Sequence, residues 1–307
     1  MRLGEFAVLM VPGARACDVE LTAQWAAFIC LIDDRFDRGG LGSRPQEVEA
    51  LFSRLLDVIS RSGAGGSGGA GGSGGAIESA LGDLWARTAP RMSAQWRNRF
   101  IADYRDFALA TYEEATSRRE RARLELSAYV KLRRRTITAL PMADIVECTA
   151  GAPWPTLPGE ERRMKALRLA AADVAGWTND LVSAKDDLRQ GRDNLVTVLG
   201  REHGCSLPSA RKWATSMRDE RLQDFHALAA SLTAGAAPGP EQESVRRYVA
   251  ALASFVAATL HWLGFTGRFD ARWSPTGGRE VCDRSGLTGP LPVRIPPLLS
   301  CTQGLFR

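Results

Sequence analysis

Trp25-Ala26-Ala27-Phe28-Ile29-Cys30-Leu31-Ile32-Asp33-Asp34-Arg35-Phe36-Asp37 is the stretch on which the fold turns. The segment from about Asp18 to Asp37 is apolar on most sides until it reaches its aspartates, and its length suits several helical turns. On a helix Asp33 and Asp37 lie one turn apart on the same face, with Asp34 about 100° round. Carboxylates gathered behind an apolar run repel one another and are costly to keep together unless a cation or an arginine neutralises them. Hard oxygen ligands on a rigid helix suit magnesium, which takes one or two carboxylates, keeps waters and accepts phosphate oxygens. Taken alone, so short a motif reads equally well as a charged helix end in solvent.

A second stretch changes that balance: Asn179-Asp180-Leu181-Val182-Ser183-Ala184-Lys185-Asp186-Asp187, preceded by Ala171, Val174, Ala175 and Trp177. Asn179, Ser183 and Asp187 stand at i, i+4 and i+8, so an amide oxygen, a hydroxyl and a carboxylate make one stripe up two turns. It is another apolar helix ending in oxygen ligands. Two such stripes facing each other across a cavity can clamp a diphosphate through bridging metal ions.

Outward from these motifs, helical patterns dominate and no convincing run of alternating β-branched residues interrupts them, so the expected fold is all-α. A helix begins near Ser43, with Pro45 in its first turn and Leu51, Leu55, Val58 and Ile59 at helical spacing. Residues 63–75 are almost pure Gly, Ser and Ala and read as a flexible loop. Helical pattern resumes at about Ile77 and runs through Trp85, Trp96, Phe100, Tyr104 and Phe107. The segment Leu124 to Ala139 carries the basic cluster Lys131-Leu132-Arg133-Arg134-Arg135. After a break at Pro153 to Pro158, a long helix is expected from about Glu160 to Arg189, closed by Gly191. Two more follow, about Ser206 to Leu232 and Gln242 to Thr266. The piece before the glycine-rich stretch has too few helices for a core of its own. One helical domain is therefore expected over 1–272, with its loop at 63–75, and an irregular Gly- and Pro-rich tail over 273–307.

Composition narrows the function classes. With 45% hydrophobic and 24% charged residues, the chain reads as a soluble globular protein with apolar mass for a sizeable core. Its net charge of +5 is spread along the sequence and gives little reason to expect nucleic-acid binding. The six cysteines include no CxxC pair and read as reduced thiols of a cytoplasmic protein. No charged-then-apolar leader opens the chain. Tyr248 to Phe265 is uncharged but carries Ser254, Thr259 and His261, whereas a bilayer helix needs roughly 20 predominantly apolar residues. A buried helix is expected there, with no stable membrane insertion. His203, His226 and His261 form no ligand cluster and read as structural.

Together these motifs make the sequence similar to the class I terpene synthases, especially the single-domain microbial kind. That family carries an aspartate-rich DDxxD and a downstream (N/D)DxxSxxxE on facing helices of an all-α bundle around a central apolar cavity. Asp33-Asp34-Arg35-Phe36-Asp37 matches the first in full. Asn179, Asp180 and Ser183 match the second, with Asp187 where glutamate is usual. The resemblance implies that Asp33, Asp34, Asp37, Asn179, Ser183 and Asp187 bind magnesium, three ions in the family, around the substrate diphosphate. The family's diphosphate-sensing arginine stands about 46 residues before the asparagine, where this chain has Arg133 within Tyr129 to Thr136. Trp262-Leu263-Gly264-Phe265-Thr266-Gly267-Arg268-Phe269 resembles the element whose Arg-Tyr pair contacts the diphosphate, with Phe269 in the tyrosine position. Gly191-Arg192-Asp193-Asn194-Leu195-Val196 is similar to what usually follows the second motif. The likeness spans about Leu21 to Phe269.

The implied activity is a carbon–oxygen lyase reaction on a geranyl, farnesyl or geranylgeranyl diphosphate, through a carbocation to a terpene hydrocarbon or alcohol. Arg133, Arg268 and Lys185 are the expected diphosphate contacts, and guanidinium forks suit phosphate oxygens better than lysine does. Ile137 stands where glycine is common, in a helix break whose backbone carbonyl the family uses during ionisation. Phe28, Phe36, Trp177, Phe255, Trp262 and Phe265 are candidates to line the cavity and face the cation, at ~1–2 kcal/mol each when desolvated. Several positions depart from the family pattern. Asp187 is one methylene shorter than glutamate, and Asp186 stands where lysine is frequent, with Lys185 about 100° away. Only 32 residues precede Asp33, so either a native start upstream of Met1 or a shortened domain is expected. The alternatives are a non-catalytic diphosphate-binding relative and a prenyl-chain-elongating synthase, the latter opposed by Asn179 and Ser183. The expected partner is the small-molecule diphosphate; a homodimer is compatible with the reading.

Overall fold

A short helix opens the chain: α1 (Leu3–Met10) leads into α2 (Ala16–Asp37), and α3 (Pro45–Arg61) and α4 (Ala76–Thr88) follow. Next come α5 (Ala94–Glu120), α6 (Leu126–Thr136), α7 (Ala139–Thr149) and the long α8 (Glu161–Arg189). α9 (Leu195–Glu202), α10 (Leu207–Thr233) and α11 (Pro240–Phe265) complete the set. This computed structural model describes residues 1–37, 39–61, 75–155, 159–234 and 239–266, and among them there is no strand. Most of the glycine-rich loop, Arg268, Phe269 and the expected tail lie outside the described residues.

Local chemistry sets the boundaries. Pro45 opens α3, where its missing N–H costs nothing. Ser93 caps α5 by accepting from the Trp96 amide, and Ser206 caps α10 by accepting from that of Ser209. Asn194 and Thr197 form a reciprocal capping box on α9. The segment expected as one helix from Ile77 is two, because Ala89-Pro90-Arg91 tightens into a 3-10 turn and Pro90 cannot donate to the helix ladder. The Leu124–Ala139 segment also breaks, at Thr138, whose φ of 63° lies in the left-handed region. Helices α1 and α9 are additions, each of eight residues.

The core forms where these helices pack. Trp85 stacks on Trp96 and Phe100, and Phe100, Tyr104 and Phe107 continue the aromatic column along α5. The apolar α11, the one described helix long and apolar enough to cross a membrane, instead packs against α1, α7, α8 and α10. It buries Tyr248, Leu252, Phe255, Val256 and Trp262 among them. A second cluster gathers Tyr129, Trp177, Leu181 and Leu195 between α6, α8, α9 and α10. Away from both motifs, Arg168 reaches Asp103 and Asp144 at 2.6 Å, and Arg99 reaches Asp144 at 3.0 Å and also pairs with Glu147. A buried charge cluster of this kind ties α5, α7 and α8 into one geometry, since breaking any pair strands the other charge.

Candidate active site

The C-terminal ends of α2 and α8 open on one cavity of about 1480 Å³, counting its mouth. Asp33 and Asp37 reach its wall from α2, and Asn179, Asp180, Ser183 and Asp187 reach it from α8. The two oxygen-bearing stripes are thus brought together. Earlier turns of the same helices supply Ala26, Phe28, Ile29, Ile32 and Ala175, so the cavity grades from a polar to an apolar end. Phe255 and Trp262 of α11 extend the apolar part, and Phe36 also lines the wall. Phe6 of α1 joins them, stacked on Trp262 with ring centroids 4.7 Å apart.

The acidic residues sit at the unfavourable end of their helices. A helix C-terminus carries partial negative charge, so carboxylates gathered there call for cations. Guanidinium groups supply part of that need. Arg192, just beyond α8, lies 2.5 Å from Asp37 and 2.7 Å from Asp187. Arg118 of α5 lies 3.3 Å from Asp37 and 2.6 Å from Glu114. The Asp187 carboxylate is further fixed by Ser183 Oγ at 2.5 Å and Asn194 Nδ2 at 2.7 Å, both donating to Oδ2.

Arg133 stands on the wall beside the second motif. Its Nε donates to Asp180 Oδ1 and its Nη2 to Asn179 Oδ1, both at 2.8 Å. Tyr129 donates its hydroxyl to Asp180 Oδ2 at 2.6 Å, and the Leu195 amide donates to the same oxygen at 3.2 Å. Asp180, 2% exposed, therefore has both oxygens engaged and acts as the anchor of the wall. Burial pushes its carboxyl above the ordinary value, while Arg133 and the Tyr129 hydrogen bond pull the other way. Burial works most strongly against the Arg133 charge, but Asp180, Tyr129, Glu114 and Asp187 together outweigh it and the guanidinium is held more firmly protonated. The other two arginines of the basic cluster are taken up by other carboxylates. Arg134 pairs with Asp173 at 2.7 and 2.8 Å, and Arg135 with Asp106 and Glu113 at 2.8 and 2.7 Å.

The α6–α7 break also faces the cavity, through Thr136, Ile137 and Thr138. Thr138 is β-branched with a positive φ, a conformation held only by its surroundings. Gly176 of α8 faces this break, and a Cβ on it would meet Arg133 Cγ at 3.5 Å and Ile137 Cβ at 3.7 Å, ordinary contact distances.

Four of the expected site residues do not line this cavity. Lys185 is exposed and does not line the cavity, because it lies about 160° round α8 from Ser183, the middle of the Asn179 stripe. Trp177 is about 200° from Asn179 and packs instead in the second apolar cluster with Leu181, one turn on. Phe265 lies outside the cavity, against His261 at 4.9 Å and under the Arg2 guanidinium at 4.8 Å. Asp34 is half-buried and is not among the lining residues, consistent with its offset from Asp33 and Asp37. Sequence reasoning missed Phe6, Arg192 and a stripe on α5. That stripe, Tyr104, Phe107, Thr111, Glu114 and Arg118, advances by alternating steps of three and four, the signal that could have found it.

All donors on the two motif stripes are oxygens, a set that fits a hard divalent ion. Among the described residues no three His, Cys, Asp or Glu side chains converge into a ready-made cage. Magnesium suits such a spread set, because water and phosphate oxygens complete its octahedron.

Comparison with known proteins bears on this geometry. Residues 24–224 match the family model described as "Terpene synthase family 2, C-terminal metal binding". The chain is 31% identical to (-)-beta-caryophyllene synthase of Saccharothrix espanaensis, covering 95% of this chain and 84% of that protein. It is 30% identical to pristinol synthase of Streptomyces pristinaespiralis, covering 91% and 76%. Among solved structures, linalool/nerolidol synthase of Streptomyces clavuligerus in complex with 2-fluorogeranyl diphosphate superposes with a TM-score of 0.75 at 25% identity, over 87% of each chain.

Proposed function

The chain belongs to terpene synthase family 2, and from that premise we propose that it ionises a prenyl diphosphate in this cavity and releases a terpene hydrocarbon or alcohol plus inorganic diphosphate. The observation that carries the reading is the meeting of Asp33 and Asp37 with Asn179, Ser183, Asp187 and Arg133 around one space whose other end is aromatic. These five oxygen-bearing side chains hold magnesium, and Arg133 orients the diphosphate, with Arg268 a further contact outside the described residues. When bound, magnesium neutralises the charge that builds on the leaving diphosphate.

The remaining work falls to the chain itself. The allylic C–O bond breaks, its electron pair leaves with the diphosphate, and the cation is quenched by loss of a proton or by capture of water. Phe6, Phe28, Phe36, Phe255 and Trp262 exclude water and present ring faces worth ~1–2 kcal/mol each to a desolvated cation. The Ile137 break lies beside Arg133 and offers backbone dipoles to the reacting carbon. Two relatives support the substrate class. One is named for cyclising (2E,6E)-farnesyl diphosphate, and the other was solved with a geranyl diphosphate analogue. A homodimer and a cytoplasmic location fit the same reading. The test is incubation of purified protein and magnesium with geranyl, farnesyl and geranylgeranyl diphosphate, with volatiles followed by gas chromatography. Turnover that is lost in Asp33→Ala and Asn179→Ala is expected; turnover that persists in both contradicts the assigned site.

A further inference from the structure

Arg192 is the one guanidinium that joins the two acidic motifs among the described residues. Gly191, with a φ of +66°, turns the chain back over the end of α8, and the Arg192 amide then donates to the Asp187 carbonyl at 2.9 Å. The side chain is 12% exposed and lines the cavity. Its two terminal nitrogens reach Oδ1 of Asp37 and Oδ1 of Asp187. Ser183 and Asn194 donate hydrogen bonds to Oδ2 of Asp187 and the Arg192 ion pair engages Oδ1, so both oxygens of that carboxylate are occupied. An ion shared by the two motifs must reach these same oxygens, so Arg192 and the ion compete.

Arginine stays charged throughout, so it cannot give up two carboxylates by losing a proton. Released from both, it would be a half-buried cation without a counter-charge, which is unfavourable. A diphosphate arriving at the same mouth offers the oxygens that a guanidinium fork matches best. Lys185, the other cation considered for this contact, is exposed on another face of α8. We propose that Arg192 is an internal counter-cation that holds Asp37 and Asp187 against divalent ions and yields them when a diphosphate accepts its guanidinium. The inference rests on the diphosphate reading of the cavity. It makes metal and diphosphate binding mutually dependent, each strengthening the other by the same factor.

The competing view is that Arg192 merely staples two helix ends. Calorimetric titration of the full chain separates the two, using manganese alone, and inorganic pyrophosphate at saturating magnesium. For Arg192→Gln, manganese alone should bind roughly tenfold more tightly, since two ion pairs no longer have to be broken. Pyrophosphate should bind roughly tenfold more weakly. A staple predicts a lowered melting temperature with manganese affinity unchanged or weakened, and that result overturns the proposal. Should Arg192→Gln fail to fold, Arg192→Lys carries the comparison, because it keeps the charge but cannot span both carboxylates; its shifts should have the same signs and smaller size. Pyrophosphate binding by the wild type with no change in either variant removes the Arg192 inference alone. A wild type that binds no pyrophosphate with magnesium removes the cavity reading and the inference together.

Discussion

Replacing Asp180 by alanine should cost more stability than any other single change in the two motifs. The substitution strands Arg133, deprives the Tyr129 hydroxyl of its acceptor and frees the Leu195 amide. Removing one member of a buried ion pair costs about 3–5 kcal/mol. Arg133 keeps Asn179 as a second partner, which favours the lower end of that range. The unsatisfied Tyr129 hydroxyl adds about 1 kcal/mol, for a total near 4 kcal/mol. That is a large part of the roughly 5–15 kcal/mol by which domains are stable. In a chain of this size it lowers the melting temperature by about 6 °C. Asp180→Asn keeps an acceptor for Tyr129 and should lose about half as much. Asp33→Asn, at an exposed position, should stay within about 0.5 kcal/mol of wild type. It should nevertheless abolish magnesium-dependent pyrophosphate binding. Scanning fluorimetry with urea denaturation reads all three. A melting temperature for Asp180→Ala close to wild type, or an equal drop for Asp33→Asn, refutes the division into anchor and ligand.

Three further outcomes follow from the same geometry. Arg133→Met should weaken pyrophosphate binding at saturating magnesium, whereas Arg134→Met should lower the melting temperature and leave that binding intact; equal loss in both contradicts the separate roles of the two guanidiniums. Phe6→Ala should destabilise by about 3 kcal/mol and raise the share of alcohol among the products, because the stack on Trp262 opens; gas chromatography showing an unchanged ratio counts against it. Burial lifts Asp103 and Glu147 to about 6 each, against the pull of Arg168 and Arg99. The folded chain then holds these protons more firmly than the unfolded chain, so their contribution to stability falls as pH rises from about 4 through about 6. In Asp103→Asn the decline should be shallower, and equal slopes in urea titrations across that window contradict it.

The fold class and the two oxygen-bearing stripes were legible because each rests on a local rule. A helix keeps residues four apart on one face wherever it packs, so Asn179, Ser183 and Asp187 had to present together. The partner of each charged group was not legible, since that depends on chain segments far apart in sequence. Asp37 and Arg192 are an example, and Trp177 is another: its two neighbouring faces look alike until α6, α9 and α10 cover one of them. Short α1 escaped notice because three buried positions, Phe6, Ala7 and Met10, set too brief a period to read. The break at Thr138 is expected from the family resemblance, and Pro141, in the first turn of α7, marks the restart of the helix.

On the proposed function, Asp33 and Asp37 share divalent ions with Asn179, Ser183 and Asp187 around one pyrophosphate. Crystals grown with manganese and inorganic pyrophosphate test it directly through anomalous scattering. The account predicts manganese peaks within coordination distance of both α2 and α8, with pyrophosphate between them and Arg133 upon it. Manganese confined to one helix, or pyrophosphate bound elsewhere with this cavity left to solvent, contradicts it.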